Sequence, residues 1–218
     1  MVVYLISGLG ADKRAFQKLR FPEGYLLKYL DWIEPKGKET LEEYAGRFAK
    51  LIGDTQPFIL VGLSMGGMIS LELSRIVKPK LAIIISSITS AKQLPWYYRL
   101  AGILQLDRLA PSSIFTTTSH LGFYMIGASD PESKMVLSDI VKDSDPKFVR
   151  WALRSILNWK VKNYAVDTFQ IHGTLDRVLP IRFTKPNAVV EAGGHFMIYT
   201  KADQISELIS SRIKQLTT

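Results

Sequence analysis

Short runs of consecutive apolar residues alternate along the chain with stretches in which apolar residues recur every three or four positions. A fully apolar run is typical of a strand buried on both faces of a parallel sheet, and the longer spacing is typical of a helix with one buried face. The runs predict strands at residues 2–7, 25–30, 58–61, 81–85, 168–171 and 188–190. The spaced stretches predict helices at about residues 12–20, 40–52, 64–77 and 202–216. This alternation predicts an α/β fold, a three-layer sandwich around a mainly parallel sheet of about six strands.

One region breaks the alternation. Residues 91–165 contain no convincing strand but two or three helical stretches, one of them at residues 94–106. Another begins at Asp145, a favoured N-cap residue, followed by Pro146 at the first helical position. We therefore expect a core formed by residues 1–90 and 166–218, with residues 91–165 inserted as a helical cap between the fourth and fifth strands.

Composition narrows the class of protein. Hydrophobic residues make up 47% of the 218 residues and charged residues 22%, as in ordinary globular proteins. No stretch approaches the roughly 20 apolar residues of a membrane span, and Met1 runs into apolar residues without a basic leader. The chain has no cysteine, which excludes disulfides, thiolate metal sites and a cysteine nucleophile. We expect a cytoplasmic protein without a membrane span.

The net charge of +8 raises the question of a nucleic-acid partner. The excess of basic over acidic residues is +3 in residues 1–89, +4 in 90–165 and +1 in 166–218, so the positive charge is spread along the chain. A nucleic-acid site would concentrate the charge on one helix or face and bring a recognisable motif. We therefore expect a solvated basic surface and no nucleic-acid partner, the alternative being an acidic substrate or partner.

The pattern GxSxG occurs at residues 62–66, directly after the third predicted strand and at the start of a helix. A sharp turn from strand to helix strains the serine backbone, and the small residues Gly62 and Gly66 leave room for it. Such a turn exposes the hydroxyl of Ser64 at a helix N-terminus, where free N–H groups favour negative charge. The alternative is a glycine-rich turn with an incidental serine. The flanking strand and helix favour Ser64 as a nucleophile.

A nucleophilic serine needs a base, and the base needs an acid that orients it. Of the three histidines, His195 follows the sixth predicted strand, at the sheet edge where the sites of such folds lie. His172 ends a strand and is expected to bond backbone groups, and His120 is expected at the surface. Asp176 lies just past the fifth strand, whereas Asp167 precedes it at the opposite edge. We predict His195 as the base and Asp176 as the acid.

These motifs, in this order, resemble those of the α/β-hydrolase superfamily, in particular small cap-bearing serine hydrolases similar to carboxylesterases and lipase-like enzymes. Residues 7–10 resemble the HGxG stretch of the family, and residues 62–66 its nucleophile elbow. Residues 172–180 match its HGxxDxxxP acid loop, and residues 193–195 its histidine loop. The resemblance covers the expected core, and the insertion occupies the usual place of a cap.

The resemblance implies the α/β-hydrolase fold and an oxyanion hole formed by the backbone N–H groups of Leu9 and Met65. Two fixed donors of this kind stabilise charge that develops on a carbonyl oxygen. One departure concerns this loop, because Ser7 stands where the family has the histidine of HGxG. That puts the hydrogen bonding of the loop in doubt but removes no catalytic group.

We expect hydrolysis of a small-molecule ester or related carboxylic derivative through an acyl-serine intermediate. No HExxH motif or clustered histidine pair occurs, so no metal and no cofactor are expected. The alternatives are a carbon–carbon bond hydrolase or lyase with the same triad, and a non-catalytic ligand receptor. Dehalogenase chemistry is disfavoured, since its relatives carry aspartate at the position of Ser64. We expect a monomer or homodimer.

Aromatic residues of the insertion are candidates to line the substrate pocket, although a cap also needs a small core of its own. The predicted substrate-binding residues are Trp96, Tyr97, Phe123 and Tyr124. Further candidates are Tyr98, Phe115 and Met125.

Overall fold

Six strands form one parallel sheet in the computed structural model, which describes residues 1–53, 57–104, 117–160 and 163–216. The strand order is β2-β1-β3-β4-β5-β6, and every neighbouring pair is parallel. The strands are β1 Val2–Ile6, β2 Leu26–Leu30, β3 Phe58–Leu63, β4 Leu81–Ile85, β5 Thr168–Gly173 and β6 Ala188–Val190. The predicted α/β class and the predicted number of strands are confirmed.

Helices cover both faces of the sheet. The α-helices are α1 Leu41–Phe48, α2 Met65–Ser74, α3 Trp96–Ile103, α4 His120–Ile126, α5 Pro131–Asp143, α6 Pro146–Leu157, α7 Met197–Thr200 and α8 Ala202–Lys214. Short 3-10 helices occur at Lys13–Phe16, Ala49–Leu51, Ala91–Gln93 and Ile181–Phe183. Among the described residues, every helix is too short or too polar to cross a membrane.

The apolar runs are buried on both faces, as their pattern predicts. In β1, Val3 and Leu5 face one buried cluster together with α8, whereas Tyr4 and Ile6 face the other together with α1 and α2. All four side chains are essentially inaccessible to solvent. The period of two along the strand therefore divides the core into two layers, one on each side of the sheet.

The predicted helix at residues 12–20 is wrong. Only Lys13–Phe16 is helical, as one 3-10 turn. The N–H of Arg20 donates to Ser206 Oγ on α8 instead of to a carbonyl one helical turn earlier, at 3.0 Å. A tertiary contact has thus replaced the helical hydrogen bond that the spacing of apolar residues suggested.

The described part of the insertion at residues 91–165 contains the helices α3, α4, α5 and α6, joined by loops, and no strand. The predicted start of α6 is confirmed, because Asp145 Oδ1 accepts a hydrogen bond from the N–H of Lys147 at 2.8 Å. The helix α6 packs on the core through Trp151, whose ring centroid lies 4.4 Å from that of Tyr44 in α1. That the insertion forms a cap separate from the core stays a prediction.

The first turn of α2 lies directly against the end of β1. A Cβ atom on Gly66 would lie 2.1 Å from the carbonyl oxygen of Ile6 and 2.3 Å from that of Ser7. A Cβ atom on Gly62 would lie 2.3 Å from the carbonyl oxygen of Gly66. Both glycines of the GxSxG pattern are therefore required by close approach of backbone to backbone.

We expect Gly66→Ala to lower the free energy of unfolding by about 1–3 kcal/mol or more, because the added methyl group overlaps fixed backbone atoms. The matched control is Gly46→Ala in the middle of α1, where a Cβ atom meets no atom within 4 Å. That substitution should raise the free energy of unfolding by about 0.5–1 kcal/mol. Urea unfolding measures both, and a Gly66→Ala protein as stable as wild type would contradict the close approach.

Candidate active site

Ser64 lies in the turn between β3 and α2 with φ 51° and ψ −118°, a backbone conformation that residues other than glycine rarely adopt. Its N–H donates to the carbonyl of Ile85 at 2.9 Å, and its carbonyl accepts from the N–H of Gly67 and from Ser87 Oγ at 2.9 and 2.6 Å. These bonds hold the strained backbone in place. The side chain is thereby presented, half-buried, at the carboxyl edge of the sheet.

The structure brings the three predicted side chains together. His195 Nε2 lies 3.0 Å from Ser64 Oγ, and His195 Nδ1 lies 2.8 Å from Asp176 Oδ2. A carboxylate can only accept, so the ring proton sits on Nδ1 and Nε2 is left to accept from the serine hydroxyl. This is the arrangement in which an imidazole can take a proton from Ser64.

Asp176 is buried but held in its charged form. Its Oδ1 accepts hydrogen bonds from the N–H groups of Val178 and Leu179, at 3.0 and 2.8 Å. Burial acts to raise the pKa of Asp176, but the neighbouring ring of His195 and these hydrogen bonds outweigh it, and the pKa lies below its ordinary value of 3.8. The carboxylate beside His195 is therefore ionised at neutral pH.

The other two histidines take the places expected of them. His172 is completely buried, and its Nε2 lies 2.6 Å from the carbonyl oxygen of Leu179, so it bonds a backbone group of the acid loop as predicted. Burial lowers the pKa of His172 below its ordinary value of 6.5, which keeps the ring neutral. His120 is exposed at the first position of α4.

The two predicted oxyanion-hole residues both belong to segments next to Ser64. Met65 follows it as the first residue of α2, and Leu9 lies in a turn closed by a 2.9 Å hydrogen bond from the N–H of Ala11 to the carbonyl of Gly8. A Cβ atom on Gly8 would lie 3.4 Å from Ser64 Cβ, so this turn packs against the serine. Neither Leu9 nor Met65 donates its N–H to another residue among those described.

Side-chain donors hold the turn at residues 7–12. Ser7 Oγ donates to the carbonyl of Ala11 at 2.6 Å, so Ser7, which stands at the position of the histidine of the HGxG pattern, does bond within the loop. Trp32 Nε1 also donates to this turn, and so does Ser144 Oγ from the insertion. The predictions from the sequence include neither contact. The position of Trp32, just after the strand that pairs with β1, could have indicated it, but nothing in the sequence points to Ser144.

A cavity of about 470 Å³ opens beside Ser64 and His195. Among the described residues that line it there is no aspartate, glutamate, lysine or arginine. Much of the lining comes from aliphatic side chains of the insertion, including Leu137, Ile140, Val149, Leu153, Ile156 and Leu157. A larger cavity of about 690 Å³, between α1 and α6, contains none of the three hydrogen-bonded residues.

The four aromatic residues predicted to bind substrate do not line the cavity beside Ser64. Trp96 and Tyr124 are 67% and 58% exposed, Tyr97 packs on the ring of Phe183, and Phe123 packs against a buried cluster of the core. Of the further candidates, Tyr98 and Met125 do line the cavity, and Phe115 lies outside the described residues. Successive helical positions point about 100° apart, so a neighbouring residue can face the cavity when the predicted one does not.

Comparisons with known proteins identify the fold. No protein-family model and no curated protein sequence matches the chain. A lipase-esterase related protein from Clostridium acetobutylicum has a TM-score of 0.70 at 18% identity, over 96% of this chain and 93% of that chain. A bromoperoxidase from Bacillus anthracis has a TM-score of 0.69 at 17% identity, over 98% of this chain and 91% of that chain. MenH from S. aureus has a TM-score of 0.70 at 17% identity, over 100% of this chain and 95% of that chain. These are α/β-hydrolase-fold proteins, and this chain has the same fold.

Proposed function

We propose that this α/β-hydrolase-fold protein is a serine hydrolase that cleaves a small-molecule ester or related carboxylic derivative through an acyl-serine intermediate. The observation that carries the proposal is the hydrogen-bonded row from Ser64 Oγ through the ring of His195 to Asp176, with distances of 3.0 and 2.8 Å. The row ends at a half-buried hydroxyl beside a cavity, where a substrate can reach it. This is the arrangement that activates a serine hydroxyl as a nucleophile.

In the first half-reaction, His195 Nε2 takes the proton of Ser64 Oγ as this oxygen attacks the carbonyl carbon of the ester. The carbonyl oxygen becomes an oxyanion, to which the N–H groups of Leu9 and Met65 donate. His195 then gives its proton to the leaving alcohol oxygen as the carbon–oxygen bond breaks. Ser64 is left acylated.

In the second half-reaction, His195 Nε2 takes a proton from a water molecule as the water oxygen attacks the acyl carbon. The proton returns to Ser64 Oγ as the acyl bond breaks, and the carboxylic acid leaves. In both halves Asp176 stays ionised, orients the ring and stabilises its positive charge.

The lining of the cavity supports an uncharged, largely aliphatic acyl group. Apolar side chains from the core and the insertion surround the space beside Ser64, and the described part of the lining offers no cation to pair with a carboxylate. A charged group placed there would lose its hydration without gaining a partner. Because residues 91–165 supply so much of this lining, we also propose that they form the cap of the site.

A fluorophosphonate should attach one label to this protein, and digestion with mass spectrometry should place it on Ser64. An activated serine attacks phosphorus readily, whereas an ordinary hydroxyl without an adjacent base does not. Ser64→Ala should not be labelled, and His195→Ala should be labelled much more slowly. A folded wild-type protein that takes no label would favour a ligand receptor, and a label on another serine would refute the site.

Asp176→Asn should lower kcat for p-nitrophenyl butyrate by about 10⁴-fold, because an amide cannot hold the ring in the required tautomer. The matched control is Asp167→Asn, which removes a carboxylate from the opposite end of β5, where it pairs with Arg212. That variant should keep the wild-type kcat. Equal losses in the two variants would show that Asp176 is not the acid.

A series of p-nitrophenyl esters tests the proposed acyl group. We expect the hexanoate ester to be cleaved at least tenfold more efficiently than the adipate monoester, whose chain has the same length but ends in a carboxylate. The difference corresponds to about 1.4 kcal/mol or more for burying an unpaired charge. Comparable kcat/KM values for the two esters would contradict this assignment.

A further inference from the structure

The turn that carries Leu9 is held by the indole of Trp32, on the side where the chain leaves β2. Trp32 Nε1 lies 3.2 Å from the carbonyl oxygen of Gly8 and 3.0 Å from that of Ala11. One N–H therefore bonds two carbonyl groups of the same tight turn. The bond to Gly8 is the important one for Ser64, because Gly8 packs against this serine.

The carbonyl of Gly8 and the N–H of Leu9 belong to one peptide group. A trans peptide is planar, and its C=O and N–H point in opposite directions. A donor that fixes the carbonyl of Gly8 therefore fixes the direction in which the N–H of Leu9 points. The same hydrogen bond polarises the peptide group and makes its N–H a stronger donor.

The indole is itself held in place by aromatic packing. Its ring centroid lies 5.6 Å from that of Phe48 in α1 and 5.3 Å from that of Phe148 in α6. The ring of Tyr44 lies 6.2 Å away. Such a cluster restricts the orientation of the indole and hence of its N–H.

We propose that Trp32 is a positioning residue for the oxyanion hole: its indole N–H holds the carbonyl of Gly8 and thereby aims the N–H of Leu9 at the oxygen that becomes negatively charged. The inference rests on the proposed hydrolase function, since it assigns a role within that reaction.

The chain offers a matched control in Trp151. This tryptophan belongs to the same aromatic cluster, with ring centroids 4.4 Å from Tyr44 and 5.5 Å from Phe148. Its Nε1 also donates to a backbone carbonyl, that of Glu39 at 2.9 Å, but Glu39 is not part of the turn at residues 7–12. Phenylalanine at either position keeps a ring and removes one N–H.

Steady-state kinetics of Trp32→Phe and Trp151→Phe on p-nitrophenyl butyrate test the proposal. Trp32→Phe should lower kcat about tenfold or more and leave KM nearly unchanged, since an oxyanion donor acts in the transition state. Inhibition by phenylboronic acid, which forms a tetrahedral adduct with an activated serine, should weaken by the same factor. Trp151→Phe should keep the wild-type kcat, although the melting temperatures of the two variants fall by comparable amounts.

Equal kcat values in the two variants, or a loss in Trp32→Phe that appears as a matching rise in KM, would overturn the proposal and leave the hydrolase function standing. If Trp32→Phe does not fold, benzothienylalanine at this position replaces the N–H by sulfur with little change in shape and is held to the same criteria. A wild-type protein that cleaves no ester would overturn the hydrolase function, and this proposal with it.

Discussion

The close approach of α2 to the end of β1 is the constraint on which the candidate site depends. Because Gly66 lies against the carbonyl groups of Ile6 and Ser7, the chain can pass from β3 into α2 without a connecting loop. This passage forces Ser64 into its strained conformation and brings it against the turn that begins at Ser7. Two adjacent strands of the sheet thus deliver the hydroxyl and the turn to one place.

A second set of hydrogen bonds fixes the loop that carries the buried carboxylate of Asp176. Both backbone polar groups of Leu179 are bonded, since its N–H donates to Asp176 and its carbonyl accepts from the ring of His172. His172 therefore helps to fix the loop that surrounds the acid, without contacting Ser64. Buried polar groups that are bonded to one another in this way favour one arrangement of the loop over others.

The sequence predicted those features that depend on local pattern and on topology. Apolar runs identify buried strands, and the carboxyl ends of parallel strands share one edge, so Ser64, Asp176 and His195 could be assigned to one place. Contacts between distant segments are not encoded in a local pattern. The bond between Arg20 and Ser206, within the segment predicted as the first helix, is one example.

The lining of the cavity also depends on contacts between distant segments, which a local sequence pattern does not encode. The sequence predicts aromatic residues in its lining, whereas many of the side chains that line it are aliphatic ones from α5 and α6. Which residues of a helix face a cavity depends on how the helix packs against its neighbours. That packing is set by contacts such as those of Trp151 with α1, which the spacing of apolar residues does not specify.

The uncharged lining of the cavity also bears on how a reaction cycle there would finish. An ester enters as a neutral molecule, but the carboxylic acid released from it ionises at neutral pH. In a space whose described lining has no lysine or arginine, the new carboxylate has lost its hydration and gained no ion-pair partner. Hydrolysis would thus convert a ligand that suits the cavity into one that it expels, and product inhibition would be weak.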